Sequence, residues 1–119
     1  MAVEDTTLER LLSLDGEIME VGGGHWIKID AKRVAVTPSR PHGIKYSLCL
    51  FGTDGRRVVC FDNAHPVAVG TGPARKRTMV SDHVHKQETI TPYGYTDAES
   101  LLVDFWDAVD AYLKKAAIP

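Results

Sequence analysis

Ala98, Leu101, Leu102, Phe105, Val109, Tyr112 and Leu113 recur at helical spacing, and this stripe limits the possible folds more than any other feature of the chain. A helix with one apolar side gains most of its stability by laying that side on another apolar surface. Thr96 and Glu99 precede the stripe at capping-box spacing, and Lys114 and Lys115 suit the negative end of the helix dipole. The partner surface has to come from the middle of the chain, where the hydrophobic pattern alternates residue by residue.

Ile27, Ile29 and Ala31 alternate with Trp26, Lys28 and Asp30 in an extended segment from His25 to Val36. The apolar phase then slips to Val34 and Val36, which predicts a β-bulge near Lys32 and Arg33. Residues 37–43, carrying two prolines and a glycine, are a loop. Ile44, Tyr46, Leu48 and Leu50 share one strand face, and Thr53-Asp54-Gly55 turns the chain into a second strand ending at Asp62. Glu17 to Val21 starts the sheet ahead of a Gly22-Gly23-Gly24 turn, and a weaker strand runs from about His83 to Ile90 and ends at Thr91-Pro92. Near the N-terminus Thr6 and Glu9 have capping-box spacing, and Leu8, Leu11 and Leu12 predict a short helix ending near Asp15-Gly16. Strands in the middle and helices at the ends predict an α+β fold. It is an antiparallel β-sheet of about five strands, with a long C-terminal helix packed on one face and a short N-terminal helix. With 119 residues there is material for one core, so residues 1–119 are read as a single domain.

The net charge of −2 is unevenly spread. Residues 1–20 hold six acids against one arginine, residues 97–119 hold five acids against two lysines, and residues 21–96 hold eleven cations against five acids. A basic middle between acidic ends fits either an anionic ligand such as RNA on the sheet or acidic helices packed beside it. No apolar run reaches the roughly 20 residues that span a bilayer, and the N-terminus lacks the pattern of a signal peptide. The expected location is the cytoplasm, without membrane association. Cys49 and Cys60 sit in strand-like runs and are expected as buried thiols; facing strands could bring them together as a disulfide, which a reducing compartment disfavours.

Two histidine clusters bracket a basic loop: Asp62-Asn63-Ala64-His65, then Arg75-Lys76-Arg77, then Asp82-His83-Val84-His85. Histidine titrates near neutral pH and is also the commonest nitrogen ligand for metals. In an extended strand His83 and His85 project from one face, about 7 Å apart, with Asp82 and Val84 opposite. They fit two chemistries equally. With Asp62 or His65 they could chelate a divalent metal; alternatively they could pass a proton from an RNA 2′-hydroxyl and to the leaving oxygen. Asp62 suits the orientation of a histidine, or an ordinary turn in which it bonds its own backbone. His25, beside the triple glycine, is expected on the surface. No GxGxxG or P-loop pattern and no serine or cysteine nucleophile motif is present, which argues against a nucleotide cradle and acyl-transfer hydrolysis.

Five segments in order carry a family resemblance: Arg40-Pro41-His42-Gly43-Ile44-Lys45-Tyr46-Ser47-Leu48, Phe61 to His65, Asp82 to Lys86, Pro92-Tyr93, and Leu102 to Trp106. Together they resemble the bacterial TumE-type toxins of type II toxin–antitoxin systems, over roughly residues 20–115. The resemblance implies a small cytoplasmic toxin with a cognate antitoxin encoded nearby and, by the usual presumption for such toxins, ribonuclease action. The acidic first 20 residues fall largely outside it.

The resulting expectation is an RNA-cleaving site with His65, His83, His85, Asp62 and Asp82 as the catalytic set. Arg40, His42, Lys45, Arg75, Lys76, Arg77, Lys86 and Tyr93 would contact substrate. His83, His85 and His65 are the candidate metal ligands, and a second copy of the chain is a possible partner. The alternative is a non-enzymatic metal-binding or protein-interaction module.

Overall fold

A computed structural model describes residues 7–64, 67–69, 78–87 and 89–116, with 67–69 and 78–80 described by strand pairing alone. In chain order the elements are α1 (Leu8–Ser13), β1 (Ile18–Gly22), β2 (His25–Arg33), β3 (Ile44–Phe51), β4 (Arg57–Asp62), β5 (Val67–Val69), β6 (Thr78–Val80), β7 (His83–Lys86), β8 (Thr89–Pro92) and α2 (Ala98–Lys115). Six strands form one antiparallel sheet in the order β1-β2-β3-β4-β7-β8, and β5 pairs with β6 in a separate two-stranded sheet. The α+β arrangement is the expected one, with a larger main sheet.

Strand parity decides what each side chain does. Ile27, Ile29 and Ala31 of β2, Ile44, Tyr46, Leu48 and Leu50 of β3, Val59 and Phe61 of β4, and Val84 of β7 are buried in a single cluster. Leu11 of α1 and Ala98, Leu101, Phe105 and Val109 of α2 join it. The stripe on α2 therefore meets the alternating residues of the four central strands, with Phe105 edge-on to Phe61 at 5.9 Å between ring centres. The intervening strand residues, Lys28, Asp30, Ser47, Cys49, Cys60, Asp62, His83 and His85, occupy the opposite face by the same register.

Several local expectations are corrected. β2 pairs with β3 without interruption from Trp26↔Phe51 to Arg33↔Ile44, so no bulge lies at Lys32 and Arg33. The strand stops at Arg33, and Val36 is exposed beyond it, so the apparent phase slip was a strand end. The register shifts fall instead between Glu20 and Gly22 and at Leu50/Phe51. The single weak strand after His83 is a tight hairpin, β7 and β8, turned by Gln87 at φ 56°. Asp97 is the N-cap of α2, its carboxylate accepting from the Ser100 amide at 2.7 Å, one residue after the expected Thr96. Thr7 caps α1 without a side-chain bond, and Thr6 lies outside the described residues. Cys49 and Cys60 are direct partners in register and form a disulfide, in place of the expected thiols.

The turn between β1 and β2 uses glycine for two reasons. Gly24 has φ +78°, and a Cβ there would come within 2.7 Å of Thr53 Cγ2 on the β3–β4 turn. That close approach carries the start of β2, and His25 with it, against the neighbouring hairpin.

Candidate functional site

The histidine-bearing face is organised by cross-strand rows. Ser47, Asp62 and His83 are register partners across β3, β4 and β7, and Cys49, Cys60 and His85 form the next row. Hairpin geometry thus gathers residues from three segments onto one patch. The His83 and His85 rings meet at 4.8 Å between centres, edge to face, closer than an ideal strand spacing suggests.

His83 is almost wholly buried, and its Nδ1 lies 2.8 Å from the Ser81 carbonyl oxygen. A carbonyl accepts only, so Nδ1 is the donor in this contact. His85 is half-buried and reaches the surface. Burial, then the neighbouring His83 and the Arg57 guanidinium, hold its pKa below the ordinary histidine value, with Asp62 acting weakly the other way. His85 is consequently a neutral, partly accessible imidazole at neutral pH.

The carboxylates have separate tasks. Asp62 Oδ1 accepts from the Ala64 amide, closing the turn that follows β4. Asn63, fully buried, does the equivalent for β3: its side-chain oxygen accepts from the Tyr46 amide at 2.8 Å and its amide donates to the Ile44 carbonyl at 2.8 Å. Asp82 projects to the helix side, where Tyr46 donates its hydroxyl to Oδ2 at 2.7 Å. Burial, then this contact, pushes the Tyr46 pKa far upward. Asp82 therefore fixes Tyr46, and among the described residues no hydrogen bond or ion pair joins its carboxylate to His83 or His85.

The expected substrate contacts are dispersed. Arg40 donates through Nε to the Asn63 carbonyl and through Nη2 to the Ala64 carbonyl at 2.6 Å, clamping the turn after Asp62. Lys45, on the histidine side of β3, shares a shallow groove with Lys32, Asp30 and Ser47. His42 rests on Tyr95 on the helix side at 4.7 Å, and Tyr93 donates its hydroxyl to Asp104 at 2.6 Å. Lys86 is exposed at the far end of β7. His65, Arg75, Lys76 and Arg77 lie outside the described residues.

Among the described residues no three His, Cys, Asp or Glu side chains come together as a metal site. His83 and His85 could present two nitrogens, and His65 would have to complete any such set. Sequence reading missed two residues of this patch, Arg57, whose charge reaches His85, and Ser47, which shares a row with Asp62, and it misplaced a third residue, His25, expected at the surface but only 7% exposed. Strand pairing brings the first two to the site, and only the alternation of β2 could have signalled the third, since His25 has the same parity as Ile27 and Ile29.

No described helix is long and apolar enough to cross a membrane. No curated protein and no solved structure matches the chain. A family model described as toxin TumE matches residues 8–113. The match takes in α1, β1 and residues 8–20 of the acidic segment expected to fall largely outside. The chain belongs to the TumE toxin family.

Proposed function

We propose that this TumE-family toxin cleaves RNA, with His85 as the general base. One observation carries the reading. His85 is a neutral, half-buried imidazole, packed edge to face on the buried His83, whose Nδ1 donates to the Ser81 carbonyl. A base for a 2′-hydroxyl must be unprotonated and reachable, and His85 meets both conditions. It removes the 2′-hydroxyl proton, the 2′-oxygen forms a bond to phosphorus, and the phosphorus–5′-oxygen bond breaks. The products are a 2′,3′-cyclic phosphate and a 5′-hydroxyl that takes its proton from water. His83 and Asp62 lie beneath and position His85; Arg57 offsets charge on the phosphate. A family antitoxin, encoded nearby, is the expected partner in the cytoplasm.

Growth inhibition by induced protein, read beside thermal melting, tests this. His85→Ala should abolish inhibition with the melting temperature kept within about 2 °C, as for a surface change. His83→Ala should abolish inhibition too, but with lower stability, because it is buried. Cleavage of a uniformly labelled RNA should end in cyclic phosphates. Full toxicity of His85→Ala would reject the assignment.

A further inference from the structure

At the end of the sheet where β4 begins and β7 ends lies a groove of about 600 Å³ between the β3–β4 turn, the β7–β8 turn and α2. Three cations line it: Arg56, Arg57 and Lys86, all exposed and all without an ion-pair partner among the described residues. Asp54 is the one carboxylate among the described lining residues, and its Oδ1 is held by the Arg56 amide at 3.0 Å. The described lining is therefore net positive, in a protein whose total charge is −2.

A second observation is independent of charge. His25 lines the same groove, is more than nine-tenths buried, and its Nδ1 has no hydrogen-bond partner among the described residues. Buried polar atoms are nearly always paired, so an orphan at the wall of a groove marks a place for a ligand atom. Tyr112 of α2 lies 5.6 Å from the His25 ring and forms part of the same wall. The groove continues into a smaller recess of about 180 Å³ bounded by Val58, Val59, Ala108 and Ala111, which shares Tyr112 and Lys86 with it. Cations line both, with Lys86 and Lys115 in the recess, and the recess adds an aliphatic surface beside Tyr112.

We propose that this groove binds a nucleotide, free or within a chain. Arg56 and Lys86 take its phosphate, His25 Nδ1 supplies a hydrogen bond, and Tyr112 with the aliphatic recess takes the base. The volume falls in the range of small-molecule sites, and guanidinium and ammonium groups recognise phosphate through charge-assisted hydrogen bonds. Aromatic faces accept any base by stacking. Binding here requires no reaction at His85, although the groove shares Arg57 with the proposed cleavage site, so the variants that test it are at Arg56 and Lys86.

The test is amide and imidazole NMR titration with three probes: inorganic pyrophosphate, AMP, and a 2′-O-methyl hexanucleotide that 2′-hydroxyl chemistry cannot cut. All three should shift the His25 ring and the Gln87 amide. Arg56→Ala combined with Lys86→Ala should weaken binding at least tenfold, and Arg33→Ala, a cation paired with Glu9 elsewhere, should leave it within twofold. A hexanucleotide at least tenfold tighter than AMP identifies a site on an RNA chain; AMP as tight as the hexanucleotide identifies a free nucleotide. No shift at His25 with any probe, or unchanged affinity in the double variant, overturns the proposal. Loss of toxicity in His85→Ala leaves these titrations unaffected, so the two readings fail separately.

Discussion

The two faces of the sheet come from the same strands and share no chemistry. On the helix side Ile27, Ile29, Leu48, Phe61 and Val84 make a dry layer with Phe105 and Leu101. One residue along each strand, the other side presents Lys28, Asp30, Ser47, Asp62, His83 and His85. The helix side draws its stability from apolar area removed from water. The histidine side holds polar atoms in place with backbone partners: Ser81 for His83, Ala64 for Asp62. Parity alone separates the apolar core from the histidine cluster here, so a one-residue register error in β4 or β7 would disrupt both.

The largest effect that would break this division is on the helix side. Phe105→Ala should lower stability by about 3–5 kcal/mol, as for other buried aromatic truncations, measured by urea unfolding. Loss of growth inhibition should follow from loss of folded protein. Asn63→Ala comes next, because it strips partners from the buried Tyr46 amide and Ile44 carbonyl together. About 1–3 kcal/mol is expected for the unsatisfied groups, with the turn carrying Asp62 loosened. A variant stable within 0.5 kcal/mol, roughly the spread of neutral surface changes, would show that water replaces the amide without loss.

How much of this could be read from the sequence follows the same division. The helix stripe, the hairpin turning at Thr53-Asp54-Gly55 and the common face of His83 and His85 are local patterns with fixed periods, and all are found as expected. Asp82 and Arg40 show the limit. The side to which Asp82 points was evident from alternation, but its partner Tyr46 is 36 residues away and only the folded sheet supplies it. Arg40 faces a carbonyl pair that exists only once Asn63 is locked to β3. His25 looked exposed because its neighbours are glycines, whereas Gly24 lets the hairpin close over it.

Tyr46→Phe makes the comparison finer, since it removes one oxygen from the helix side and leaves the ring. The hydroxyl is buried with Asp82 as its acceptor, and a hydrogen bond to a charged group is worth about 1.5–3 kcal/mol. Asp82 remains half-exposed and regains water, so a loss near the lower bound is expected. The pH profile of cleavage should keep its shape, because Tyr46 and His85 lie on opposite faces. A shifted profile would show that the faces communicate.

The smallest effect belongs to the histidine side and concerns protons. His85 has a folded-state pKa below its unfolded value of 6.5, owing to burial, His83 and Arg57. The unfolded chain therefore binds more protons as pH falls through this region, and stability rises with pH there. The contribution is fully present above about pH 6.5 and is lost as pH falls through the lowered folded value. His85→Gln removes the titrating group and keeps a hydrogen-bonding side chain of similar reach. The stability difference between wild type and His85→Gln should be flat from pH 7 to 8, and wild type should lose ground below 6.5, while the carboxylates common to both proteins cancel. The catalytic rate should rise through the same lowered pKa and then level off, because only the neutral ring accepts a proton. A rate profile with its midpoint above 6.5 would take the base role from His85, whatever the stability curve shows.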